Sequence, residues 1–128
     1  LHKNNIETDI LLGGRTSEDI LEEEEFEKYG KVFVATDDGS LGEKGFLTKH
    51  SVFENLSSYD RLYCCGPTPM MKVMAGIATE KNIDCEVSLE NLMACGIGAC
   101  LCCVTATTEG HKCVCTEGPV FNTKQLIW

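Results

Sequence analysis

Thiols dominate the reactive side chains of this sequence. Of nine cysteines, Cys95, Cys100, Cys102, Cys103, Cys113 and Cys115 crowd into one short stretch near the C-terminal end. Thiolates are soft ligands for zinc and for iron–sulfur clusters, and thiols also pair as disulfides. The total is odd, and Lys3, Glu7, Asp9, Arg15, Glu18 and Asp19 interrupt the first twenty positions, which do not read as a signal peptide. Both features argue against a disulfide framework and for a metal site in a cytoplasmic protein. His2, His50 and His111 have no companions at catalytic spacing, so no nucleophile–base set emerges and no catalytic residue is assigned.

The run Cys95-Gly96-Ile97-Gly98-Ala99-Cys100-Leu101-Cys102-Cys103 contains C-x4-C-x2-C at positions 95, 100 and 103. Plant-type ferredoxins hold a 2Fe-2S cluster with this spacing and a distant fourth cysteine. Both Cys113 and Cys115 can complete the set. Three thiolates from one loop require the backbone to wrap a compact cluster closely. Gly96 and Gly98 suit that task, because glycine tolerates positive φ and leaves amide N–H groups to point at sulfur. Zinc is the alternative, with Cys100 to Cys103, His111, Cys113 and Cys115 as a Cys/His set. Gly96-x-Gly98 is no dinucleotide fingerprint, since Leu101 stands at the third glycine position and the motif does not open a helix after a first strand.

The 128 residues allow one domain with a small appendage, and 43% hydrophobic with 24% charged residues is a globular composition. Eleven basic and twenty acidic residues give a net charge of −9, with no basic segment to meet a phosphate backbone, so nucleic acid is not an expected partner. No apolar run approaches the ~18 residues of a membrane span. Because the chain begins at Leu1, in what reads as the polar end of a helix, it is expected to be a fragment.

Residues 6 to 90 alternate short apolar runs with amphipathic stretches, which predicts an α/β fold around an open parallel sheet. Strands are expected at Ile6 to Leu12, Lys31 to Thr36, Arg61 to Cys65 and Cys85 to Leu89. Helices are expected at Glu18 to Tyr29, at Gly45 to Asn55, and from Pro67 or Pro69 to about Lys81. After residue 90 the periodicity stops and Gly, Cys and Thr take over. There Val104 to Thr107 and Lys112 to Cys115 are expected to pair as a hairpin, in a small irregular β module spanning 91–128 that needs a staple.

In open parallel sheets, ligands sit beyond the carboxyl ends of the strands. Those ends here carry Arg15, then Thr36, Asp37, Asp38, Gly39 and Ser40, then Cys65 to Met70. The Thr36–Ser40 loop offers carboxylates and a hydroxyl to ribose hydroxyls, and Arg15 offers a cation to a phosphate or ribose. Taken singly, Asp37 and Asp38 read equally as solvated loop residues and Arg15 as a surface arginine. The run Glu22 to Glu25 reads as a solvated helix face.

The stretches SLENLMACGIGACLCCV and KCVCTEGPVF resemble the C-terminal 2Fe-2S segment of the electron-transfer subunits of NAD-dependent dihydroorotate dehydrogenases. LLGGRT, VATDDGSLGEKGFLT and YCCGPTPMM resemble the same family's nicotinamide domain, in the same order. The resemblance implies a nicotinamide-binding domain of the ferredoxin reductase type at 1–90, incomplete at its N-terminus, followed by the 2Fe-2S module at 91–128. It implies Cys95, Cys100, Cys103 and Cys115 as ligands, because two residues separate the fourth ligand from a Gly-Pro-Val-Phe turn, here Gly118 to Phe121. Cys102 is then a bystander, and Cys113 stays as the alternative fourth ligand. It also implies that Cys65, Gly66 and Pro67 lie near the nicotinamide of NAD, with Met70 in the helix start behind them, and that Glu90 and Asn91 help position the cysteine loop.

By the same resemblance, FAD is bound mainly by a domain upstream of Leu1, and the partner is an FMN-containing dihydroorotate dehydrogenase catalytic subunit. Electrons from dihydroorotate would pass through the 2Fe-2S cluster and FAD to NAD+ in pyrimidine biosynthesis. Two other readings stay open: a flavin and iron–sulfur reductase subunit serving a hydrogenase or a ferredoxin-NADP oxidoreductase, and a zinc-stapled binding module without redox function.

Overall fold

Strand-forming sequence and glycine-punctuated turns build the first half of the chain. The computed structural model describes residues 1–128, apart from the side chain of His2. They pack as two units, 1–55 and 56–128.

In the first unit β1 (Asp9–Gly14) runs parallel to β2 (Lys31–Thr36), from Asp9 opposite Lys31 to Gly14 opposite Thr36. The two-residue β3 (Glu43–Lys44) lies parallel on the far side of β2. Lys31–Thr36, rich in β-branched side chains, buries Val34, Ala35 and Thr36 at its C-terminal end. The expected first strand starts three residues later and ends two residues later, on its glycines.

The helix expected over Glu18 to Tyr29 is instead a 3-10 turn at Ser17–Asp19 and a single turn, α1 (Glu23–Phe26). Five glutamates between positions 22 and 27 repel one another around the helix, and α1 buries no residue that would offset this. The helix expected over Gly45 to Asn55 is replaced by 3-10 turns at Leu47–Lys49 and Ser51–Ser58, kinked at Asn55. Side chains take the backbone donors a helix would use: Ser51 N–H donates to Glu43 Oε2 at 2.9 Å and Val52 N–H to His50 Nδ1 at 3.0 Å.

In the second unit β4 (Arg61–Cys65) is parallel to β5 (Asp84–Ser88), in register from Arg61 opposite Asp84 to Cys65 opposite Ser88. The connection is α2 (Thr68–Glu80), which starts after Pro67 and buries Met71, Met74, Ala75 and Ala78 along one face. This β–α–β unit bears out the α/β class. A hairpin follows, β6 (Val104–Thr107) with β7 (Gly110–Cys113), then the single turn α3 (Val114–Glu117). The second hairpin strand ends two residues earlier than expected, because Glu117 Oε2 accepts the Cys113 N–H at 2.8 Å and turns the chain into α3.

The last strand, β8 (Val120–Asn122), pairs antiparallel with β5, setting Phe121 opposite Val87. One core results: Met71 and Ala78 of α2, Cys85 and Val87 of β5, and Leu89 pack with Cys103, Val114, Phe121 and Leu126. Packing divides the chain at 55/56. No helix is long and apolar enough to cross a membrane among the described residues.

Candidate metal centre

Residues 89–103 are tied down before the cysteine loop begins. Leu89 N–H donates to Pro119 O at 3.0 Å, and the Asn91 side-chain amide donates to Cys103 O at 3.2 Å. The loop itself has no helix or strand. Gly96 (φ 70°), Gly98 (φ 76°) and Leu101 (φ 58°) all lie in the left-handed region. At Gly98 this is the conformation glycine adopts without cost, whereas Leu101 holds it against side-chain strain.

All nine cysteines are free thiols. Four of the clustered six form two pairs by N–H···S hydrogen bonds. Cys100 N–H donates to Cys95 Sγ at 3.4 Å, and Cys115 N–H donates to Cys103 Sγ at 3.4 Å. These are the four residues named from spacing and resemblance. Cys103 is buried, Cys95 and Cys115 half-buried, and Cys100 exposed. Cys102 is exposed, and Cys113 is half-buried at the end of β7.

The amides also set the thiol acidities. The Ile97 N–H, then the Cys100 N–H, pull the Cys95 thiol down to about 6. The Cys115 N–H, foremost, lowers Cys103. Cys115 is raised, chiefly by its hydrogen bond with the Cys103 thiol, against a lowering Gly98 N–H. Cys102 is raised by the neighbouring Cys100 charge, and Cys113 by burial. Cys64, half-buried in β4, is pushed up to about 11 by desolvation.

Among the described residues, no three Cys, His, Asp or Glu groups converge at metal-binding spacing in this arrangement. The donor set nonetheless fits an iron–sulfur cluster in its chemistry. Thiols carry backbone N–H donors aimed at sulfur, the loop backbone takes the left-handed turns that close wrapping needs, and Cys103 anchors the set in the core.

The dinucleotide candidates fall into two groups, one in each unit. In the first, the ends of β1 and β2 bring Arg15 and Thr36–Ser40 together. Asp37 N–H donates to Gly14 O, Asp38 N–H to Arg15 O, and Ser17 N–H to Ser40 Oγ at 2.7 Å. Ser40 Oγ donates to Asp38 Oδ1 at 2.6 Å, which holds that carboxyl below its usual range. Thr36 is fully buried, and its hydroxyl is engaged with Leu41, donating to the carbonyl at 2.7 Å and accepting from the N–H at 3.1 Å. Its role is to shape the loop. Sequence reasoning missed Asp19, whose Oδ2 accepts from the Arg15 and Thr16 N–H groups at 2.9 and 3.0 Å. The signal was present as Thr16-Ser-Glu-Asp19, a capping box.

In the second unit Cys65, Gly66, Pro67 and Met70 form the turn between β4 and α2. Gly66 has φ 145°, and a Cβ there would stand 2.6 Å from Met70 Cε. Met70 and Met71 N–H both donate to Pro67 O, and Pro67 and Pro69 have no N–H, so the first turn offers the Thr68 N–H rather than the usual four. The exposed Cys65 thiol donates to Glu90 Oε1 at 3.7 Å, a contact sequence reasoning did not foresee.

Comparison with known proteins places these features in a lineage. Residues 90–127 match the family described as the iron-sulfur cluster binding domain of dihydroorotate dehydrogenase B. The electron transfer subunit of dihydroorotate dehydrogenase B (NAD(+)) from Fusobacterium nucleatum is 42% identical over 125 residues, covering 94% of this chain and 47% of the relative. The corresponding subunit from Geobacillus sp. is 39% identical over 130 residues, covering 99% of this chain and 49% of the relative. A solved chain of the NADH-dependent reduced ferredoxin-NADP oxidoreductase, described for flavin-based electron bifurcation, has a TM-score of 0.82 at 31% identity. It is matched over 95% of this chain and 45% of its own length. The chain spans about half the length of the curated relatives it matches. Over nearly its whole length the chain is similar to about half of these electron transfer subunits, and its residues 90–127 match the iron–sulfur cluster binding domain.

Proposed function

We propose that this chain is the nicotinamide and cluster half of an electron-transfer subunit that serves an FMN-containing dihydroorotate dehydrogenase, in the cytoplasm, in pyrimidine biosynthesis. The observation that carries the reading is the pairing of Cys95 with Cys100 and of Cys103 with Cys115 by N–H···S hydrogen bonds. Cys95, Cys100, Cys103 and Cys115 hold a 2Fe-2S cluster, and residues 1–90 and 91–128 divide the roles of nicotinamide and cluster binding. A 2Fe-2S cluster passes electrons singly, a nicotinamide exchanges them in pairs as hydride, and FAD bound mainly by the remainder of the subunit joins the two.

Within that frame Arg15, Asp37, Asp38, Gly39 and Ser40 face the dinucleotide, with Thr36 supporting their loop. Cys65, Gly66, Pro67 and Met70 line the nicotinamide end. Leu92, Ile97 and Leu101 are exposed along the cysteine segment, apolar surface of the kind that a partner subunit covers.

Co-expression of the full-length subunit with a dihydroorotate dehydrogenase catalytic subunit tests the assignment. A stable complex in which dihydroorotate reduces NAD+ is expected. Failure to associate, with electron delivery to ferredoxin instead, contradicts it. That second outcome corresponds to the related reductase reading, which the 31% identity to the ferredoxin-NADP oxidoreductase chain favours.

A further inference from the structure

The buried His50 belongs neither to the cysteine cluster nor to the strand-end loops, yet both of its ring nitrogens are met. Its Nδ1 accepts the Val52 N–H at 3.0 Å, so in the neutral ring the proton sits on Nε2, which stands 3.5 Å from Glu43 Oε1. His50 is 6% exposed, and the Phe33 ring of β2 meets it edge-on with centroids 5.6 Å apart. Glu43 takes two further donors from Ser51, the N–H on Oε2 at 2.9 Å and the hydroxyl on Oε1. These bonds, the Ser51 hydroxyl foremost, hold the Glu43 carboxyl below its usual range.

We propose that Glu43 is a positioning residue for the dinucleotide loop, acting through β3. This rests on the reading above that Asp37 to Ser40 face the dinucleotide. The loop leaves β2 at Thr36 and returns in β3, which has two residues, both exposed, paired with Ala35 and Thr36. A strand so short, with no buried side chain, is held weakly by its ladder alone. Glu43 fixes it from the side, by bonding across eight positions to Ser51 and by facing His50, which is itself buried against β2. Its neighbour Lys44 carries the restraint into the loop: Gly39, at φ 78°, lies so close that a Cβ there would stand 2.9 Å from Lys44 Cβ. Movement of β3 is therefore passed directly to the backbone between Asp38 and Ser40.

The test uses the full-length subunit with FAD bound, as wild type, Glu43→Ala, Glu43→Gln and Asp37→Ala. NAD+ affinity is measured by calorimetry, and NADH oxidation with ferricyanide as acceptor. Glu43→Ala should weaken NAD+ binding and raise the KM for NADH about tenfold, the worth of one well-placed hydrogen bond, with kcat near wild type. Glu43→Gln keeps a carbonyl oxygen for the Ser51 N–H and should stay within about threefold of wild type. Thermal unfolding of both Glu43 variants should remain within a few degrees of wild type, which separates positioning from general destabilisation. Unchanged affinity in Glu43→Ala beside a loss in Asp37→Ala would overturn the proposal alone, as would a fall in kcat at unchanged KM or an affinity loss matched by collapse of the fold. Unchanged affinity in both Glu43→Ala and Asp37→Ala would mean that the loop does not meet the dinucleotide, so the reading beneath the proposal would fail with it.

Discussion

Cys103 Sγ accepts the Cys115 N–H at 3.4 Å across twelve positions of sequence, whereas Cys113, two residues nearer, ends the hairpin strand. The proposed fourth ligand is Cys115. Glu117 draws the Cys113 N–H toward itself, whereas the Cys115 N–H as well as its thiol meets Cys103. Cys115→Ser should therefore abolish iron and sulfide uptake, and Cys113→Ser should leave them near wild type, as measured by metal and sulfide analysis. Cys102→Ser should also retain the cluster.

The acidity of Cys95 gives a pH-dependent signature in the metal-free chain. With its thiol held at about 6 by the Ile97 and Cys100 amides, the thiolate predominates above that pH, while Cys102, Cys113 and Cys115 stay protonated through neutrality. Iodoacetamide at pH 7, read by peptide mass spectrometry, should modify Cys95 ahead of those three. Equal labelling would contradict the hydrogen-bond pattern.

The cysteine segment shares its core with α2 and β5. Phe121→Ala removes a buried ring that faces Val87 across the β5–β8 pair. It should cost about 3–5 kcal/mol and raise hydrogen exchange in α2 as well as in β8. Loss of protection confined to residues 91–128 would mean that the segment folds by itself.

Thr36→Val tests the loop at the end of β2. The isosteric change leaves the Leu41 N–H and carbonyl without the buried hydroxyl that both now meet. A destabilisation of about 1–3 kcal/mol by denaturant titration is expected, together with weaker NAD+ binding by calorimetry. Ser40→Ala, at an exposed position, should affect binding more than stability.

How far these features are legible in the sequence depends on range. The C-x4-C-x2-C spacing and the TDDGS loop are readable because their chemistry lies among near neighbours in the chain. The strand at Lys31–Thr36 and the helix after Pro67 are legible for the same reason, through periodicity and a proline start. The glutamate run at 22–27 misleads, since helix propensity cannot reveal that nothing buries this segment. The union of the cysteine segment with α2 is invisible, because it rests on β8 pairing with a strand more than thirty residues earlier. The Cys65–Glu90 and Asn91–Cys103 contacts are hidden likewise, since each spans a fold rather than a motif.

Iron and acid-labile sulfide content of the anaerobically purified chain, with electron paramagnetic resonance after dithionite reduction, tests the central claim most directly. The account predicts about two irons and two sulfides per chain, visible absorption that bleaches on reduction, and the rhombic signal of a single unpaired electron. A folded chain that is colourless and iron-free, or that holds zinc in place of iron, would contradict it.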